Sequence, residues 1–190
     1  MNAKQTEVLV KTRAMRELEE NLIINGNTGT DATQFDGIVT IMGATNTVDK
    51  SSTALALDDI DAAIQLAYDD GGRPNLAICG SAVYTDLLGL LTAKIGYLQP
   101  TKQVFWGFST IVLNTMVGEI PVIPSMFMTN TANSKAMYFL DLSVVEMRVL
   151  QDLTFQDLAM TNDSEKFMLK IYEALIIRAI PFNSSITAIA

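Results

Sequence analysis

Two prolines three residues apart constrain this chain more than any other feature. They lie in the stretch GEIPVIPSMFMTNTANSKAMYFLD, from Gly118 to Asp141. Ile120, Val122 and Ile123 alternate around Pro121 and Pro124 in a strand-prone run. A loop of Thr, Asn and Ser follows, and then a second apolar run, Ala136 to Leu140. Two such runs around a turn-rich loop read as a β-hairpin. Because proline has no N–H to give to a ladder, the first arm is expected at the edge of its sheet.

The 190 residues, 49% of them hydrophobic, suffice for one sizeable core or for two small lobes. No apolar run approaches the ~20 residues of a membrane helix. The first residues lead into charged helix, with no apolar stretch of the signal-peptide kind, so synthesis in a cytoplasm is expected. Cys79 is the single cysteine, so neither an intrachain disulfide nor a cysteine metal cage can form. The absence of histidine removes the commonest general base and metal ligand and every Ser-His or Cys-His pair. With 13 basic and 21 acidic residues the formal charge is −8, which gives no general attraction to a phosphate backbone.

The spacing predicts a helix over 4–24, with Val8, Met15, Leu18 and Leu22 on one side and facing strands to cover. Gly26 suits the position just past its end. Residues 26–37 read as loop, 38–42 (IVTIM) as a short strand and 43–53 as a polar connection. A helix is predicted from Leu57 to Asp69, with Asp58 and Asp59 in its first turn. Leu76–Cys79 reads as a buried strand, and 81–94 as a helix capped by Ser81 with Val83, Leu87, Leu88 and Leu91 inward. Residues 95–109 read as irregular. Long alternating strands are expected over 144–158 and 165–180, followed by an extended tail from Pro181.

Chemical motifs fail one by one. There is no Gly-Lys-Ser/Thr and no Gly-x-Gly-x-x-Gly, so no phosphate loop. Asp58, Asp59, Asp61, Asp69 and Asp70 lack the oxygen-rich loop and terminal Glu of a calcium site, and read as a solvated face. Cys79-Gly80-Ser81 sits at a strand-to-helix turn, but the Gly-x-Ser-x-Gly elbow is missing and only a Ser-Lys arrangement would remain. Buried filler and a helix cap are the simpler reading. No cofactor is expected, and assembly fits better than turnover. Tyr97, Phe105, Trp106 and Phe108 are the candidate subunit interface, since exposed aromatics gather where partners meet.

In series, these segments resemble the major capsid proteins of tailed bacteriophages with the Hong Kong 97-like fold, a fold shared with encapsulins. Leu18 to Thr30 resembles the end of the family's spine helix, and Gly37-Ile38 the segment after its loop. Leu76 to Tyr84 resembles the strand and helix start of the axial domain, Gly118-Glu119-Ile120-Pro121-Val122 its turn, and Phe139 to Ser143 its exit. The resemblance implies an α+β fold in which a long spine helix and long antiparallel strands form a peripheral lobe beside a compact α/β axial lobe. On that pattern 1–50 holds the spine helix and the first part of the peripheral lobe, 51–143 the axial lobe and 144–190 the return strands. It implies a structural subunit that forms pentamers, hexamers and an icosahedral shell in the virion. DNA is enclosed without a specific site, there is no membrane partner, and nothing is catalysed. The family's N-terminal arm and extended β-loop have no counterpart ahead of residue 4, so weak contacts between rings are expected. The alternatives are an encapsulin-like wall and, from another class, a small hydrolase or ligand-binding domain using Ser81 or the aspartates.

Overall fold

The computed structural model describes residues 3–95, 101–105, 108–128, 135–161 and 164–190. The chain divides into two units, one of residues 1–40 and 147–176, the other of 41–146 and 177–190.

The larger unit is built on a mixed sheet. Its strands are β1 (Thr47–Thr53), β2 (Leu76–Cys79), β3 (Thr101–Phe105), β4 (Phe108–Thr115), β5 (Gly118–Pro124), β6 (Met137–Leu140) and β9 (Ser184–Ile189), in the spatial order β1-β9-β6-β2-β5-β4-β3. β1 runs parallel to β9, and β2 runs parallel to β5; the other neighbours are antiparallel. One face carries Ala77, Cys79, Ile111, Leu113, Ile120, Val122, Met137, Phe139 and Ile186. Two helices cover that face, α3 (Leu57–Asp69) on β1 and β9 and α4 (Ser81–Ile95) on β5. Ile60, Ala63, Ile64 and Ala67 of α3 recur at three-to-four spacing and are buried, as are Val83, Leu87 and Leu91 of α4. Tyr138 and Leu140, pointing the opposite way, are buried too, so β6 is enclosed on both faces.

Several expectations are corrected here. The arms around 129–134 do not form a hairpin: β2 lies between them, pairing Ala77 with Val122 on one side and with Phe139 on the other. The four-residue apolar β2 has two ladder edges to satisfy, and each arm takes one. β5 is therefore interior, between β2 and β4, and not an edge strand. Pro124 is tolerated as its last residue because the Ser125 N–H takes over, reaching the Cys79 carbonyl at 2.9 Å. Part of the 95–109 stretch expected as irregular is strand: 101–105 pairs antiparallel with β4, which begins at Phe108.

The supposed polar connection contains β1, an edge strand too polar to show an apolar alternation. Positive φ at Ser51 and Ser52 breaks its register between Asp49 and Thr53, a bulge suited to an edge. The supposed tail is a 3-10 turn, Ile180–Phe182, followed by β9, which sits between β1 and β6. Its serines hide it from an apolar pattern, although Ser185 Oγ is satisfied by Thr47 Oγ1 at 2.8 Å. Gly72 lies so close to this turn that a Cβ would stand 2.4 Å from the Phe182 carbonyl oxygen.

The smaller unit holds α1 (Ala3–Asn25) and most of a two-stranded ribbon, β7 (Val145–Thr161) with β8 (Ser164–Ile177). The link between the strands has only two residues, which permits only an antiparallel pair. Phe155 and Phe167 stack across it with ring centroids 5.7 Å apart. α1 meets the ribbon through ion pairs, Lys4 to Asp157 at 2.9 Å and Arg16 to Asp152 at 3.1 Å. Leu18 is 48% exposed, which overturns the expectation that its side of the helix is sealed against the strands. Two strands and one helix have too little surface to close a core.

After α1 the chain loops back on itself. Gly37 N–H donates to the Gly26 carbonyl at 2.9 Å, and a Cβ on Gly26 would come within 2.2 Å of the Phe35 carbonyl oxygen. The next turn, Ile38–Met42, is the helix α2 and not the expected strand. Thr40 Oγ1 donates to the Gly26 carbonyl at 2.6 Å, an anchor that outweighs the β propensity of five residues.

Candidate functional site

Cys79, the last residue of β2, is fully buried, and burial pushes its thiol up to about 12. A thiol held protonated in this way is no nucleophile. Gly80, not Ser81, occupies the position flanking α4; its carbonyl accepts the Tyr84 N–H at 3.0 Å, and Ser81 is the exposed first helical residue. The chain must turn from a buried strand into the helix, and the residue making that turn takes the capping position.

The aspartates of α3 are dispersed. Asp58, Asp61, Asp69 and Asp70 are exposed. Asp59 instead fastens β1 to the start of α3. Its Oδ2 accepts from Lys50 Nζ at 2.8 Å and from the Ala56 N–H at 2.7 Å. Burial would raise that carboxyl, but these bonds hold it below its ordinary value. Among the described residues no three His, Cys, Asp or Glu gather as a metal site.

The densest polar construction lies where the chain leaves β6 and later returns to β9. Asp141 accepts from the Ser143 hydroxyl at 2.6 Å, the Ser143 N–H at 3.0 Å and the Arg73 N–H at 3.1 Å. Its own N–H donates to Asn183 Oδ1 at 2.8 Å. Asn183, fully buried, gives its amide hydrogens to the Ala179 and Ile180 carbonyls. Close by, Arg178 N–H donates to the Val144 carbonyl at 2.9 Å and its guanidinium pairs with Glu146. Asp141-x-Ser143 is a turn signal visible in the sequence. Asn183 carries none, because Asp141, whose N–H it accepts, lies 42 residues back. This knot positions chain segments and holds no reacting group.

In the smaller unit Met15, Leu18, Leu22, Val149, Ile171 and Tyr172 line an open apolar groove. The carboxyls of Glu19 and Glu173 share its wall. Of the expected interface residues, Tyr97 and Trp106 lie outside the described residues. Phe105 and Phe108 enter only as backbone, paired at the ends of β3 and β4.

No curated protein matches the sequence. The family profile described as SU10 major capsid protein matches residues 2–175. In three dimensions the chain is similar to the SrpI encapsulin of Synechococcus elongatus, with a TM-score of 0.77 at 14% identity over 98% of this chain and 66% of that one. It is also similar to the capsid of an empty GTA particle, with a TM-score of 0.66 at 14% identity over 99% of this chain and 67% of that one. It thus spans about two thirds of each neighbour's length. At such identities the likeness speaks for the fold, and the profile match for descent. The chain has the Hong Kong 97-like fold and belongs to the SU10 major capsid protein family.

Proposed function

We propose that this protein is the structural subunit of a bacteriophage capsid shell, assembling as pentamers and hexamers in the virion after synthesis in the host cytoplasm. The family match over 2–175 carries the reading. The chemistry agrees with it: the one thiol is sealed, and the polar clusters of the larger unit tie chain segments together. In this reading the protein performs no catalysis. The shell encloses DNA without a specific nucleic-acid site, as suits a formal charge of −8. The β3–β4 region, with Tyr97, Phe105, Trp106 and Phe108, faces neighbours around a ring axis. Contacts of that head-to-tail kind close when the rotation allows.

Native mass spectrometry and electron microscopy over a range of protein concentrations test this. Species of five or six subunits, or closed shells built from them, are expected, and Trp106→Ala should reduce their abundance at least tenfold. A strict monomer at every concentration would overturn the assembly reading. Rings that form equally well with Trp106→Ala and Phe105→Ala would remove the interface.

A further inference from the structure

One edge strand of the larger sheet is held unlike the strands beside it. β6 is buried at every position and β9 at four of six, yet no residue of β1 is buried. Val48 is its only apolar residue, and it reaches the core half-buried. The other side-chain ties are polar. Thr47 Oγ1 meets Ser185 Oγ at 2.8 Å, and Lys50 Nζ lies 2.8 Å from Asp59 Oδ2. Just ahead of the strand, Asn46 Nδ2 donates to Asp70 Oδ2 at 2.8 Å and to the Pro181 carbonyl at 2.6 Å.

Against these ties stands strained backbone. Among the described residues, those with positive φ other than glycine are Asn46 (49°), Ser51 (48°), Ser52 (63°) and Ala188 (51°), and all lie in or beside the β1–β9 pair. Asparagine tolerates that region, but serine and alanine enter it at a cost. Ser51 and Ser52 take it in succession, where asparagine and glycine are the usual occupants. The chain is anchored on both sides of the segment, because Met42 and Leu55 are buried. Gly43, with a φ of 53°, turns it away from the first anchor.

We propose that residues 43–54 form a strap that releases from β9 as one unit, pivoting between Met42 and Leu55, while β9 stays in the sheet beside β6. A segment with little buried apolar surface and with ladder bonds open to water has a low free energy of opening. Release also relieves the strained turn, whereas β9 and β6 have only buried contacts to lose. It converts β9 from an interior strand into an edge and bares the backbone groups that face β1. Among these is the Ser185 N–H, which donates to the Asn46 carbonyl at 3.0 Å. Ile186, one residue on, points its N–H the other way, towards β6.

Amide hydrogen exchange of the full-length protein, resolved residue by residue and corrected for intrinsic rates, tests this. Ser185 is expected to exchange at least about tenfold faster than its neighbour Ile186, in step with the β1 amides that face β9. Low concentrations of urea should barely change the Ser185 rate, because the strap exposes little surface, but should speed Ile186 steeply. Ser51→Asn combined with Ser52→Gly, the pair suited to two left-handed residues, should slow Ser185 about three- to tenfold. Equal rates and equal urea dependence at Ser185 and Ile186 would overturn the proposal, since β1 would then leave only when the whole unit unfolds. An unchanged or faster Ser185 rate in the paired variant would overturn the role given to strain. If that variant does not fold, Ala188→Gly makes the same test from β9, and the contrast in the native protein still decides.

Discussion

Removing the Asn183 side chain is the sharpest test of how the larger unit is held together. In Asn183→Ala three hydrogen bonds disappear, but their consequences differ. The Ala179 and Ile180 carbonyls keep other partners, the N–H groups of Phe182 at 3.2 Å and of residue 183 at 3.1 Å. The Asp141 N–H keeps none of its own and is left buried with its donor unused. An orphaned buried donor costs about 1–3 kcal/mol, and the two weaker bonds add about 1 kcal/mol together, for a total of about 2–4 kcal/mol. Asn75→Ala is the matched control. Its Oδ1 accepts from the exposed Leu142 N–H at 3.1 Å, where water can substitute, so about 0.5 kcal/mol is expected. Equilibrium urea unfolding followed by circular dichroism measures both, read as a shift in midpoint at unchanged slope. Equal losses for the two variants, or a loss below about 0.5 kcal/mol for Asn183→Ala, would show that the knot is not the anchor described.

Cys79 should react with a thiol reagent only as fast as the protein opens; labelling of the native protein at the rate of a free thiol would refute its burial. Burial would raise the Asp141 carboxyl, but the Ser143 and Arg73 donors hold it below 3.8, so its stabilisation is present above that value and lost as pH falls through the lowered one. Asp141→Asn should accordingly flatten the acid limb of a stability profile, and an unchanged limb would count against the network. Leu18→Ala in the isolated subunit should cost about 1 kcal/mol, because half of the side chain is already in water, whereas Phe139→Ala should cost about 3–5 kcal/mol. The reverse order in thermal unfolding would sink the account of where the core lies.

The elements legible in the sequence are those whose pattern is local. α3 begins and ends where its aspartates and Asp70-Gly71-Gly72 say it should, and Leu76–Cys79 is a strand by composition alone. β7 and β8 follow from alternation. What escaped is set by distant partners. β9 reads as a polar tail because Ser184 and Ser185 are small and hydroxylated, yet β6 and β1 enclose them. α2 consists of β-prone residues, overruled by the Thr40–Gly26 hydrogen bond. Asn183 became important only when the fold brought it to Asp141. The family resemblance survived these errors because it rested on the order of segments, not on the pairing of strands.

The placement of β6 beside β9 also has a mechanical meaning. The long ribbon is an excursion that departs from the end of β6 and re-enters at the start of β9, and those two strands are antiparallel neighbours, Phe139 opposite Ser184. Tension drawn along them from the ribbon pulls both the same way. It does not peel one from the other; it slides the pair against β2 on one side and β1 on the other. The ladders from Leu76–Leu140 to Cys79–Met137 and from Thr47–Ser185 to Asp49–Thr187 then bear the load together, in shear. Such an attachment yields only when many bonds fail at once, whereas a strand pulled from its free end unzips one bond at a time.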